Sequence, residues 1–185
     1  MSALPDIPVL QTERLTLRAP AERDFQAWVD FYARGDTRYV GGPIHRNVVW
    51  RTLAAYLGHW AMRGYGMWAV EERATGTFCG NVGLWFPEGW PEAEIGWTLL
   101  DRAVGRGIAF EAAAAAREHA YGALGWDTVI SLIDPANARS IRLAERLGAT
   151  LDGHVTHAQY GRMAVYRHPG PTAAGARADA TGVQA

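Results

Sequence analysis

Hydrophobic positions along the chain change their period several times, and each change predicts an element. Leu15 and Leu17 flank Thr16 in the alternation of a half-buried strand, and Pro20 ends that run. Over residues 24–34 the period lengthens. Phe25, Trp28, Val29, Phe31 and Tyr32 recur at helical spacing, so this segment reads as an amphipathic helix with its aromatic stripe in the core. Gly41-Gly42-Pro43 is a loop. Residues 48–63 predict a second helix, with Val49, Leu53, Tyr56, Leu57 and Trp60 on one face. Residues 67–72 and 78–86 are nearly continuous apolar runs joined by the turn Ala74-Thr75-Gly76, which suits strands covered on both faces. Residues 128–133 predict another strand after the break at Gly125-Trp126. A helix then follows, capped either by Asp134 with Pro135 behind it or by Asn137 with Ser140 three residues on, and Gly148 stops it. Residues 151–156 and 159–167 read as a hairpin.

One stretch organises the rest. Residues 94–100 carry strand formers, Gly105-Arg106-Gly107 forces a tight turn, and from Ile108 the run Ala112 to Ala116 has the highest helix propensity available. A helix opening from a glycine turn directs unpaired N–H groups and the positive end of its dipole outward, which favours a phosphate. A Gly-x-Gly pair by itself is also the mark of an ordinary turn. Two nucleotide motifs fail here. A P-loop needs Gly-Lys-Ser/Thr where this chain has Gly107-Ile108-Ala109, and a dinucleotide fingerprint needs a third glycine and an early position.

Composition narrows the picture further. A chain of 185 residues is one domain's worth and can bury a core. A net charge of −1 gives no general attraction to nucleic acid or acidic membrane. All 18 basic residues are arginine, so no side-chain amine is available for self-modification. The single cysteine, Cys79, excludes an internal disulfide and sits in an apolar run as a structural thiol. No signal peptide or membrane-length apolar run is present, which predicts a cytoplasmic protein. The six histidines form no metal-binding pattern, and no Gly-x-Ser-x-Gly elbow exists. Residues 1–167 read as one domain, and 168–185 as a disordered tail rich in Pro, Gly and Ala.

Three blocks resemble one family in order. Glu94-Ile-Gly-Trp through Gly105-Arg-Gly-Ile-Ala-Phe-Glu-Ala resembles the acetyl-CoA signature of the GNAT N-acetyltransferases. Asn137-Ala-Arg-Ser140, then Leu143-Ala-Glu-Arg-Leu-Gly148-Ala, and Thr12-Glu-Arg-Leu-Thr-Leu-Arg18 are similar to blocks of the branch holding the ribosomal-protein alanine N-acetyltransferases. The resemblance implies an α/β fold: a mixed, mostly antiparallel sheet of about six or seven strands, splayed in the middle and flanked by about four helices. It implies an acetyl-CoA-dependent enzyme that acetylates an amine directly, as a monomer or homodimer, without nucleic acid or membrane. The acceptor stays open among a protein N-terminus, an antibiotic-like amine, a polyamine and an amino acid.

The same resemblance assigns residues. Backbone groups of Thr98, Leu99 and Leu100 would meet the pantetheine arm. Val104, Gly105, Arg106, Gly107, Ile108 and Ala109 would donate N–H groups to the diphosphate, with Arg106 either adding charge there or lying solvated in its turn. Asn137 would bond the pantetheine amide, cap its helix, or both. Glu94 is the first candidate for the base that takes the amine proton, against the reading of a strand-edge glutamate paired with arginine; Glu92 is its nearest competitor. Glu111 is better read as a helix-dipole residue. Ser140 is the candidate to hydrogen-bond the sulfur, or else a capping partner of Asn137. Tyr39, His45, Trp50 and Trp60 would border the acceptor, and His45 and His59 are better read as surface or satisfied histidines than as catalysts. Two positions depart from the pattern. Ala144 stands where many members have a proton-donating tyrosine, and Val104 where Gln, Arg or an aromatic is common. A catalytically silent CoA-binding module is therefore the second reading.

Overall fold

Leu15, Leu17, Trp68, Val70, Val82, Leu84 and Ile95 are buried on one face of a sheet, beneath a helix whose contact surface is almost entirely alanine. The computed structural model describes residues 6–171. In chain order the elements are β1 (Leu10–Gln11), β2 (Leu15–Arg18), α1 (Phe25–Arg34), α2 (Arg46–Arg63), β3 (Met67–Glu72), β4 (Thr77–Trp85), β5 (Glu94–Leu99), α3 (Ile108–Gly122), β6 (Ile130–Ile133), α4 (Ala138–Arg146), β7 (Thr150–His157) and β8 (Gly161–Arg167). The eight strands run in the order β1-β2-β3-β4-β5-β6-β8-β7. That is one more than the upper expectation. The surplus is β1, whose two residues are too few to show a period.

Ala112, Ala113, Ala116 and Ala120 let α3 lie close against the sheet, while Trp28, Phe31 and Tyr32 of α1 and Val49 of α2 cover the other face. No helix among the described residues is long and apolar enough to cross a membrane. The aromatic stripe of α1 is core, as its spacing implies. Helix α2 begins at Arg46, two residues before its apolar pattern, because His45 adopts an extended conformation and accepts from the Asn47 N–H. For α4, Asn137 is the cap, its side chain accepting the Ser140 N–H at 3.2 Å. Asp134 instead accepts the Ala136 N–H one turn earlier.

Every neighbouring strand pair is antiparallel except β5 and β6, and that parallel pair is in register only at Glu94 and Ile130. Beyond this point the strands diverge and side chains take over from the ladder. Ser131 Oγ donates to the Ile95 carbonyl at 2.7 Å, and Glu94 Oε2 accepts the Leu132 N–H at 3.0 Å. Behind Ser131 lies His168, only 2% exposed, with its Nε2 3.0 Å from the hydroxyl and its N–H bonded to the Val129 carbonyl. The expected tail therefore starts too early at residue 168, since His168 belongs to the fork. The rest of that tail, residues 172–185, lies outside the described residues.

Candidate active site

The fork opens between two cavities. One, of about 510 Å³, runs along β5 to the turn before α3 and the first turns of α4. The other, of about 470 Å³, lies over Glu94, Gly96 and Thr98. Tyr39, Val40, Trp97, Thr98, Asn137 and Ser140 line both, so the cavities meet at these six residues.

In the first cavity the glycine turn has the form its sequence implies. Gly105 and Gly107 have φ values of +80° and +78°, where a side chain is strained. Among the described residues, the N–H groups from Gly105 to Phe110 have no protein acceptor, and Gly107 offers the helix no side-chain cap. Gly105, Gly107, Ile108, Ala109 and Val104 all line the cavity, but the Val104 N–H already donates to the Asp101 carbonyl at 3.2 Å, so Val104 is not among the free donors expected there. This cradle of free N–H groups fits a diphosphate. Arg106 is placed differently: its guanidinium pairs with Glu72 at 2.5 Å, which leaves only its main chain in the turn. The cations that line the groove are Arg38, Arg139, Arg142 and Arg146. Arg38 is paired with Asp36 and Arg146 sits over the Phe110 ring, while Arg139 and Arg142 have no acidic partner among the described residues. Their three-residue spacing sets them on one face of α4 and is the signal in the sequence that marks them.

The strand edge also needs correction. The Leu100 N–H donates to the Cys79 carbonyl at 2.9 Å, so the even positions of β5 pair with β4. Trp97 and Leu99 therefore face the fork with their main-chain groups. Leu99 can meet an extended arm, but the main chains of Thr98 and Leu100 are turned toward β4. Thr98 instead offers its side chain at the junction.

At the junction, the Trp97 indole N–H donates to Ser140 Oγ at 3.1 Å. The Ser140 hydroxyl proton is therefore free to be donated onward. Glu94 is 8% exposed, and burial pushes its carboxyl up to about 7, against the opposing pull of the Leu132 N–H and the Trp90 indole. Trp90 Nε1 is close enough to favour the anion but meets no hydrogen-bond geometry, so it is a buried donor without a partner. Gly96 has no positive φ, yet a Cβ there would lie 3.5 Å from Glu94 Oε1, so its lack of a side chain keeps that oxygen uncovered. Glu92 is not equivalent: Arg167 grips it at 2.8 and 3.0 Å and holds its carboxyl below the usual range. Glu94 has no arginine partner among the described residues.

A family model described as an acetyltransferase (GNAT) domain matches residues 14–150. The chain belongs to the GNAT acetyltransferase family. An acetyltransferase from Agrobacterium tumefaciens str. C58 is 37% identical, with a TM-score of 0.81 over 91% of this chain and 98% of its own. The Bacillus subtilis protein YkkB is 37% identical over 91 residues, which are 46% of this chain and 52% of YkkB, so the match spans about half of that relative. RimL, a ribosomal L7/L12 α-N-protein acetyltransferase solved in complex with coenzyme A, is 18% identical, with a TM-score of 0.73 over 88% of this chain and 98% of its own. At that identity the likeness is one of fold.

Several residues expected from the GNAT resemblance lie elsewhere. Trp60 is in the core, donating to the Met67 carbonyl, and Trp50 is exposed on the outer side of α2. His45 caps α2, and His59 is satisfied by the Tyr65 carbonyl and the Phe86 N–H. Only Tyr39 of the expected group borders the acceptor cavity. The aromatic residues that do line it with Tyr39 include Tyr32, Tyr56, Trp85, Trp90 and Tyr160. Tyr56 shares the apolar face of α2 with core residues, and Trp85 and Trp90 stand at a strand end and in a loop where no period marks them. Ala144 is fully buried beside Ile133 and Ala164, so the GNAT tyrosine position holds no donor. Cys79 is buried too, and burial raises its thiol. Glu111 clamps the turn before β2 by accepting from Thr12 and Arg14.

Proposed function

We propose that this protein is an acetyl-CoA-dependent N-acetyltransferase that acetylates a primary amine directly. The observation that carries the reading is the buried Glu94 carboxyl at the mouth of the fork, on the acceptor side of the junction with the N–H cradle. When bound, acetyl-CoA supplies a thioester carbonyl to the amine. The turn at residues 105–109 and the arginines of α4 hold the diphosphate end. The Leu99 main chain holds the arm, and Asn137 caps α4 beside it. Glu94 accepts the proton of the incoming ammonium. Ser140, oriented by Trp97, hydrogen-bonds the sulfur as it leaves as a thiolate, whose conjugate-acid pKa of ~8.5 makes it a fair leaving group without full proton transfer. Holding both reactants at one junction is worth up to about 7–11 kcal/mol, so no covalent enzyme intermediate is needed.

The height of the Glu94 pKa favours an α-amine. A base near 7 faces an ammonium near ~8 in an α-amine but near ~10.4 in a lysine, a difference of about 3 kcal/mol in proton transfer. A protein or peptide N-terminus fits this, in line with the activity for which RimL is named. Incubation of the purified protein with acetyl-CoA and an amine panel, with mass detection and thiol release, tests the reading. Acetylated α-amines are expected. CoA binding without transfer to any amine would contradict it and favour the silent CoA-binding module, for which the donor-free Ala144 position speaks.

A further inference from the structure

The two cavities divide the charge of the molecule between them. Four arginines line the groove of the cradle, and among the described residues no arginine lines the acceptor cavity. The carboxyl groups there are Glu94 and Asp134, and the rest of the wall is largely aromatic and aliphatic. Binding a carboxylate calls for an arginine fork or a cluster of free N–H groups. At the amino end of α4, which borders the cavity, the Ser140 N–H is already taken by the Asn137 side chain. Two carboxyl groups facing an incoming carboxylate would repel it. Tyr32, Tyr56 and Trp85 instead present ring surface, which suits an apolar side chain or the edge of an ammonium. Trp90 stacks edge-on to His157 and Tyr160, at 4.6 and 5.8 Å between ring centres, and closes this wall above Glu94.

We propose that the acceptor cavity selects α-amines whose carboxyl end is neutral, as in an amino-acid amide or a peptide N-terminus, and rejects the free amino acid. This rests on the acetyl-transfer reading only for its assignment of the cavity to the acceptor. The selectivity is a property of the wall. An apolar side chain lies against the tyrosines, the ammonium lies toward Glu94, and the carboxyl end is tolerated only once its charge is removed.

Gln159 provides the means of reversal. It lies in the exposed turn between β7 and β8 and lines the cavity, so Gln159→Arg adds the missing cation without disturbing the core. The test is calorimetric titration of the CoA-loaded protein with phenylalaninamide and with phenylalanine, for the wild type and Gln159→Arg. The amide is expected to bind at least about tenfold more tightly than the free amino acid, and the substitution to narrow that ratio by about tenfold. Equal or tighter binding of phenylalanine by the wild type would overturn the proposal, as would absence of amide binding or an unchanged ratio in Gln159→Arg. The outcomes separate from those for catalysis. Amide preference without acetyl transfer refutes the enzyme and keeps the selectivity. Transfer to amines regardless of carboxylate does the reverse.

Discussion

Replacing Glu94 by glutamine tests the base and its cost together. The amide oxygen can still accept the Leu132 N–H, so the fork keeps its pin while the ionisable group disappears. General base catalysis is worth about 10²- to 10⁴-fold, and kcat should fall by that much near neutral pH while CoA affinity stays within about twofold. The wild-type rate should rise with pH through about 7, and the variant should lose that limb. Stability should move the opposite way. The carboxyl is raised from 4.5 to about 7 by burial, so the folded protein retains a proton that the unfolded chain releases. Its contribution is fully present below about pH 4.5 and is lost as pH rises through 7. The loss amounts to about 3 kcal/mol at about 1.4 kcal/mol per tenfold change in proton affinity. Glu94→Gln should therefore match the wild type near pH 4.5 and exceed it by up to about 3 kcal/mol at pH 8, measured by urea unfolding. A variant with wild-type turnover would remove Glu94 from the role of base. Parallel stability curves would show that the carboxyl carries no burial-shifted proton.

The remaining expectations concern separate groups. His168 is held neutral, its pKa lowered to about 4 by burial and by Arg117, so its contribution is present above pH 6.5 and lost as pH falls toward 4. His168→Gln should remove up to about 3 kcal/mol of acid-dependent destabilisation between those pH values in urea melts, and unchanged acid sensitivity would contradict it. Ser140→Ala should lower kcat about tenfold with CoA affinity retained in calorimetry, in keeping with the loss of one hydrogen-bond donor. Arg139→Ala with Arg142→Ala should weaken CoA binding several-fold and flatten its dependence on salt, since both cations lack acidic partners among the described residues. Equal salt slopes would show that these residues do not meet the phosphates.

The elements of this fold were legible where burial imposes a period. The alternation around Leu15 and Leu17, the stripe of α1 and the alanine run of α3 each report which side faces the core. The turn at Gly105 and Gly107 was legible because positive φ selects glycine. What was not legible depends on pairing between distant segments. Trp97 and Leu99, rather than Thr98 and Leu100, face the fork because β5 pairs with β4 at even positions, and nothing local to β5 states that parity. His168 looked like the start of a tail because its partners, Ser131, Arg117 and the Val129 carbonyl, are 37, 51 and 39 positions away. The aromatic wall of the acceptor cavity gathers Tyr32, Tyr39, Tyr56, Trp85, Trp90 and Tyr160 singly from six separate segments, and Trp50 and Trp60 lie away from it because neighbouring positions on a helix turn to different faces.

Hydrogen exchange at single amides, with and without CoA, tests the central claim most directly, because the account assigns the cofactor to named N–H groups. The amides of residues 105–109, together with Trp97 and Leu99, should slow on CoA addition. Leu100, already bonded to the Cys79 carbonyl, should change little. Protection that falls elsewhere, leaving the turn before α3 and the open edge of β5 unchanged, would contradict the account.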